Sequence, residues 1–454
     1  MAYQAEQLAS QLNLGAFGKA TELKKRLWFT LGALIIYRLG TFIPTPGIDS
    51  QILSDIFDQQ AGGIIDMFNV FAGGALERMS IFALNVMPYI SASIIMQLMT
   101  AVSPQLEQLK KEGESGRKKM NQYTRYLTVL LCIVQGYGIA VGLEQGLVTS
   151  AGVSAVIDPG MLFRFTTVVS LLGGTMFLLW LGEQITHRGV GNGVSLIIFA
   201  GIVASFPGSV AQLLEAGRVG TLSAFAIMAI LIGGALLIYW IVWMERAQRR
   251  IVVQYPKRQV GNRMFGGESS HLPLKLNTAG VIPAIFASSI LLMPATLASF
   301  SAAGSGADWL TELTRLLGRG EPLYLTIFGA SIVFFCFFYT AVVFNPADTA
   351  DNLRKNGGFV PGIRPGKNTA EYLDYVLTRL TTVGAIYLTI VCVIPEYIIG
   401  VNQLPILMGG TALLICVTVT MDTVSQIQSH LLAHQYEGLI KKAKLKGSRG
   451  RPRR

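Results

Sequence analysis

Ten apolar runs, each close to the length that crosses a bilayer, dominate this chain. They lie at about 27–43, 81–102, 127–143, 165–182, 192–212, 222–244, 279–299, 323–344, 380–395 and 404–421. A hydrocarbon core of about 30 Å takes roughly 20 helical residues, and tilt absorbs the differences in length. Inside lipid every backbone N–H and C=O must be satisfied by the protein itself, so only helices and closed barrels span. The runs lack the apolar–polar alternation of a barrel strand. The sequence therefore predicts an all-α integral membrane protein with ten transmembrane helices. Composition points the same way. Of 454 residues, 51% are hydrophobic and 14% charged, whereas soluble chains carry about 25% charged residues. That excludes a large soluble α/β enzyme. The first 27 residues are polar and mixed, and no removable signal peptide is expected there.

An even number of spans puts both termini on one side, and the basic residues say which. With a cytoplasmic N-terminus, the inside segments hold 31 of the 37 Lys and Arg. The outside loops hold five (Arg78, Arg164, Arg218, Arg315 and Arg319), and Arg38 lies within the first run. This is a strong positive-inside signal. The net charge of +11 is thus mostly topology and is not by itself evidence of nucleic-acid binding.

Two inside loops, 245–278 and 345–379, exceed thirty residues, while helix connections usually take a handful. Both are rich in Gly, Pro and basic residues: "ERAQRRIVVQYPKRQVGNR" and "NLRKNGGFVPGIRPGKN". Two readings are open: polar loops solvated by cytosol, or platforms for a large cytosolic partner. "FVPGIRPG" is built from turn residues and argues for an ordered projection. Its Arg364 suits a fork-like contact with phosphate or carboxylate, and ribosomal RNA and an acidic motor surface are both candidate targets.

Residues 64–76, "IIDMFNVFAGGAL", pose a separate question. Thirteen helical residues reach only about 20 Å, too short to span. They end in Gly73-Gly74, before Glu77-Arg78 and the second run.

Catalytic motifs are absent. There is no H-E-x-x-H and no phosphate loop of the G-x-x-x-x-G-K-[ST] type. "GESG" at 113–116 matches an intramembrane serine protease pattern but sits in the charged loop "KKEGESGRKK". "GVGNG" at 189–193 is a fragment of a dinucleotide fingerprint that opens the fifth run with no strand before it. His187 and His271 fall in loops; His430 and His434 lie one helical turn apart and read as a solvated helix face rather than a metal pair. The cysteines, Cys132, Cys336, Cys392 and Cys416, all lie in apolar runs at no metal-ligand spacing; they read as small hydrophobes. No metal or cofactor is expected. A coupled carrier would leave ionisable groups inside the membrane, and only Arg38 qualifies; Glu396 and Asp422 fall at run ends. A polytopic transporter or facilitator of a small solute stays open as an alternative. With no nucleotide site, directional work must come from a partner or a gradient.

Particular motifs go further. "FIPTPGID" at 42–49, "MFNVFAGGAL" at 67–76, "MPYISASIIMQL" at 87–98, "WLGEQIT" at 180–186 and "RGVGNG" at 188–193 occur in this order. "ERAQRRIVV" at 245–253, "LPLKLNTAGVIPAIFASS" at 272–289, "FFCFFYTAVVFNP" at 334–346 and "FVPGIRPG" at 359–366 follow. Across about 30–445 the chain resembles the SecY family of protein-conducting channels. The outer loops, about 144–164 and 299–322, and the tail carry little of the resemblance.

The resemblance implies an hourglass channel of two five-helix halves. These are 27–215, with a plug at 62–76, and 216–430, flanked by a cytoplasmic segment 1–26 and a basic cytoplasmic tail 431–454. It implies that Ile64, Ile65, Met67, Phe68, Asn69, Phe71, Gly73 and Gly74 belong to a plug that folds into the external funnel, with the two glycines as a hinge. It carries the pore ring onto Val86, Ile90, Val194, Ile198, Ile285 and Ile415, an apolar collar that blocks ions by dewetting. On spacing alone, the i,i+4 pairs Val86/Ile90 and Val194/Ile198 share a helix face and would read as core or lipid-facing residues. The family often has isoleucine at the positions of Val86 and Val194, and glycine at that of Asn85. A sideways gate is implied between the second and third and the seventh and eighth spans. Ser91, Ser93, Gln97 and Asn277 hold gate positions there, although ordinary polar glue between packed helices fits the same residues. Docking falls to Arg249, Arg250, Lys257, Arg258, Arg364 and Lys367. The implied partners are SecE-like and SecG-like membrane subunits, a SecA-like ATPase, the ribosome and unfolded polypeptides with signal sequences. Anionic lipids are a further candidate for the tail. The implied location is the bacterial plasma membrane.

Overall fold

The structure, a computed structural model, describes residues 21–59, 69–146, 155–255, 258–260, 263–265, 269–291, 320–402 and 409–448. Of the predicted functional residues, Ile64, Ile65, Met67, Phe68 and Lys257 lie outside these, as do 292–299 of the seventh run and 404–408 of the tenth.

The first run becomes α1, Thr21–Gly40, which starts earlier and ends sooner than the apolar residues alone suggest. "TELKKR" supplies straight-chain helix formers, and Arg26 pairs with Glu22 one turn back at 3.2 Å. Pro44 and Pro46 close by limit its far end. A short helix, α2 (Ser50–Gln59), follows. The second run is not one helix. Residues 81–86 are turns, and α3 begins only at Met87 and runs to Val102. Asn85 has a left-handed backbone (φ +48°), which interrupts any helix. Pro88 sits in the first turn, where its missing N–H costs nothing.

The next elements are α4 (Pro104–Lys111), α5 (Glu114–Gly146), α6 (Met161–Arg188), α7 (Gly193–Val219) and α8 (Ala224–Arg246). Then come α9 (Ile282–Leu291), α10 (Pro322–Val343), α11 (Pro346–Lys355), α12 (Lys367–Asn402) and α13 (Gly410–Ser448). Seven described helices are long and apolar enough to cross a bilayer. The outer surface of α8 exposes Phe225, Met228, Leu236, Tyr239 and Trp243. A face this apolar would drive aggregation in water and is at home in lipid.

The helices close on one continuous apolar core that runs from Tyr37 and Phe71 to Ile415 and Val419. Within it α1 packs on α6, α7 and α13; α3 on α5; α5 on α6; α6 on α7; α7 and α8 on α13; and α10 on α12. Lipid gives little driving force for helix pairing, so close backbone approach at small residues takes its place. Gly193 of α7 lies directly against the Gly182 backbone of α6, and a Cβ on Gly174 would strike the Ile81 carbonyl. Cys132, Cys336 and Cys392 are buried and free within this packing.

The loop 245–278 departs from the all-α expectation. It forms β1 (Gln248–Gln254), β2 (Arg258–Val260), β3 (Arg263–Phe265) and β4 (Ser269–Lys275). β1 pairs antiparallel with β4, and β2 with β3. Ile251 and Val253 point inward while their neighbours face solvent, the period-two pattern of a half-buried strand. Ile251 and Leu274 join Val360, Leu373 and Leu377 in a second small core. A bridge between Gln254 and Phe359, with N–O distances of 2.9 and 3.0 Å, ties the two long inside loops together. The tail continues α13 as far as Ser448.

Candidate functional site

Residues 69–72 form the described part of the short predicted helix, and its end is capped in detail. The Gly74 N–H donates to the Asn69 carbonyl (2.9 Å) and the Gly73 N–H to that of Val70 (3.1 Å). Both glycines have positive φ, +69° and +80°. This is a Schellman stop, in which glycine takes the left-handed position without a Cβ penalty. Gly73-Gly74 thus ends the helix. The next three carbonyls are each taken by a side chain from elsewhere. Asn85 donates to Phe71 O (2.6 Å), Tyr37 to Ala72 O (3.3 Å) and Arg38 to Gly73 O (2.7 Å). Tyr37 and Asn85 are buried, at 0% and 1% exposure. Asn69 closes the segment from the other side. Its amide bonds Glu77 Oε2 (3.2 Å) and accepts from the Glu77 N–H (3.1 Å), and Ser54 donates to Glu77 Oε1 (3.0 Å).

The segment rests on α7 through glycine. A Cβ on Gly201 would lie 2.9 Å from Phe71 O and 3.0 Å from the Tyr37 hydroxyl, and one on Gly73 would lie 2.8 Å from the Gly201 Cα. Gly201→Ala is expected to lower stability by about 1–3 kcal/mol through overpacking. Thermal unfolding in detergent checks this, and a melting temperature equal to the parent's would refute the close seat.

Five of the six predicted ring residues fall on four helices, Ile90 on α3, Val194 and Ile198 on α7, Ile285 on α9 and Ile415 on α13, and Val86 is the N-cap of α3. Val86, Ile90, Ile198 and Ile415 are buried members of the one large core, and Val194 and Ile285 pack against it. Val194 also lies against α6 at Gly182. Phe71 belongs to the same core, so the capped segment and the predicted ring residues share one apolar body.

The predicted gate residues divide into two groups. On α3, Gln97 donates to Ser93 (3.3 Å) and Ser91 is buried. Asn277 is buried and donates instead to Glu245 Oε1 at the end of α8 (2.6 Å) and to Gly280 O (3.0 Å). Among the described residues no hydrogen bond joins Asn277 to the α3 group.

On the cytoplasmic loops, Arg249 and Arg250 lie exposed on β1, and Arg258 lies in β2. Arg364 and Lys367 are exposed, with Lys367 3.9 Å from Glu371. The turn beneath Arg364 is fixed: Thr369 donates to the Arg364 carbonyl (2.9 Å), the Ile363 N–H to Val360 O (3.1 Å), and Gly362 and Gly366 take positive φ. The "GVGNG" amides are already occupied. The N–H groups of Val190, Gly191 and Gly193 donate to Thr30, Gln426 and Thr186 at 3.1, 2.9 and 2.9 Å. The stretch is a helix-junction clasp rather than a phosphate cradle.

Sequence reasoning missed Tyr37, Asn85, Glu77, Gly201 and Glu245. Two signals were present: Arg38 was the one charge inside a run, and Asn85 stood where the resembled family often has glycine.

A family model described as SecY matches residues 80–424. The protein translocase subunit SecY of Escherichia coli K12 is 56% identical over 437 residues, 95% of this chain and 97% of that one. Solved structures give the fold. One is a SecY channel described by a plug domain that stabilises the closed state and maintains a membrane seal; it aligns with a TM-score of 0.64 at 17% identity, over 90% of this chain and 92% of that one. Sec61 in the canine ribosome–channel complex aligns at 0.63 and 16%, again over 90% and 92%. With a family match over most of its length and a relative this similar end to end, the chain, a multi-pass membrane protein, belongs to the SecY family.

Proposed function

We propose that this chain is the central pore subunit of a protein translocase in the bacterial plasma membrane. It passes unfolded secretory polypeptides across and releases apolar segments sideways into lipid. The observation that carries the reading is the 56% identity, over 95% of the chain, to a protein translocase subunit. The geometry lends support. Apolar side chains from α3, α7, α9 and α13 enter one core, with a short capped segment seated on it. In this reading Val86, Ile90, Val194, Ile198, Ile285 and Ile415 form the expandable collar, 64–76 is the plug, and 27–215 and 216–430 are the two halves. The termini are cytoplasmic. Ser91, Ser93, Gln97 and Asn277 lie along the sideways gate. Interhelical polar contacts there are worth about 0.6–2 kcal/mol each, weak enough for a signal helix to displace by partitioning into lipid.

SecE-like and SecG-like subunits complete the assembly. The force comes from a SecA-like ATPase or a docked ribosome, which engage Arg249, Arg250, Lys257, Arg258, Arg364 and Lys367. The fold is shared with a channel seen in a ribosome complex, and Arg364 is held out to solvent on a fixed turn. Anionic lipid and ribosomal RNA are the two candidate contacts of the basic tail.

A photoreactive residue at Ile90 or Ile285 is expected to capture a stalled nascent chain. The same probe at Phe225, on the outer face of α8, should capture none. Equal capture at both places, or none at Ile90 and Ile285, would return the small-solute carrier as the better reading.

A further inference from the structure

We propose that Asn85 is the positioning residue that couples the seat of the 69–76 segment to the start of α3, the helix that Val86 caps and that carries Ile90. The inference rests on the reading of 64–76 as the plug. One amide side chain faces two ways. Its Nδ2 donates to Phe71 O, the last helical turn of the segment, at 2.6 Å. Its Oδ1 accepts the N–H of Val86, the residue that caps α3, at 2.9 Å. The segment and the α3 cap are thereby joined through one side-chain amide.

The backbone explains why this residue can sit there. At φ +48° most side chains are strained, glycine is not, and asparagine is among the few that visit the region routinely. Glycine would satisfy the backbone and make neither bond. Asparagine keeps the conformation and adds a donor for the segment and an acceptor for the helix. Both bonds are buried, with Phe71 at 4% and Val86 at 0% exposure, so unseating the segment breaks a hydrogen bond made in an apolar surrounding. Tyr37 and Arg38 hold the two following carbonyls from α1, and Tyr37 also interacts with the Asn85 side chain. Asn85 alone among the three connects to the α3 cap.

The test uses the full-length chain, purified with its membrane partners and reconstituted in liposomes, and reads halide efflux per inserted channel. Four channels are compared: parent, Asn85→Gly, a deletion of 64–76, and the deletion carrying Asn85→Gly. Asn85→Gly keeps the backbone and removes both bonds, so misfolding is not the expected cost. We expect its leak to exceed the parent's by about two- to twelvefold, the population shift that one net hydrogen bond supports. We expect no additional leak when Asn85→Gly is placed in the deletion, because the Phe71 acceptor is already gone. A leaky deletion with a tight Asn85→Gly channel overturns the coupling and leaves the plug standing. An Asn85→Gly leak that persists undiminished in the deletion also overturns it, since the residue then acts on α3 directly. A deletion that does not leak overturns the plug reading and the coupling with it.

Discussion

Export through a channel carrying Arg364→Glu is expected to fall at least about tenfold, with the amount of chain in the membrane unchanged. The size follows from interface chemistry: truncating one partner of a hydrogen-bonded charge pair costs about 2–5 kcal/mol, and reversing its sign adds repulsion. Folding should not register the change. Arg364 is exposed, it forms no ion pair among the described residues, and its turn is held through its own carbonyl by Thr369 and through Ile363 by Val360. Val360 in turn belongs to the small core beneath the β1–β4 hairpin, so the projection is anchored independently of the guanidinium. Arg364→Lys keeps the charge and loses the planar fork, and should fall between the parent and Arg364→Glu. Translocation of a purified precursor into inverted membrane vesicles, normalised to the quantity of channel, measures both. Normal transport by Arg364→Glu would remove the docking role from this loop.

How far the sequence carries differs from one element to the next, and the reasons are physical. The long helices α5, α6, α7, α8, α10, α12 and α13 follow from apolar runs because a chain in lipid has almost no other way to satisfy its backbone. α3 was misjudged. The run from Ile81 carries no charge and is mostly apolar, yet one residue with positive φ and one proline delay the helix to Met87, and hydropathy cannot register either. The β1–β4 hairpin was missed because Ile251, Val252 and Val253 sit among Gln and Arg, so the period-two signal is only a few residues long.

The segment at 64–76 was legible as something too short to span, but its attachment was not. Tyr37 and Arg38 each reach a carbonyl 35 residues away and Asn85 one 14 away. Contacts of that separation leave no periodic trace. Gly73-Gly74, read as a hinge, turned out to fill the helix stop. Glycine serves either purpose, because what it supplies in both is freedom at positive φ. The Asn277–Glu245 pair follows the same pattern: each residue was visible near the end of an apolar run, and only the fold brings them to 2.6 Å.

Replacing Ile90 and Ile285 together by asparagine, in a channel from which 64–76 has been deleted, is expected to raise ion conductance at least about tenfold over the deletion alone. The deletion background matters because a seated plug would hide a defect in the collar beneath it. In the proposed reading the collar resists ions only as long as water finds no partners on its wall. A large aliphatic side chain withheld from water is worth about 1.5–3 kcal/mol, so each exchange removes a comparable part of the cost of wetting the constriction. Neighbouring residues do not add independently, which is why the expectation is set below the sum of the two. Ile90 is buried in the common core and Ile285 packs against it from α9. A position facing lipid would instead leave the wetting of the interior untouched. Ile90→Leu with Ile285→Leu conserves volume and apolar character, and should leave conductance close to that of the deletion. Planar-bilayer recordings of the purified channel distinguish these outcomes. Equal currents from the asparagine and leucine pairs would mean that the side chains of α3 and α9 do not form the barrier.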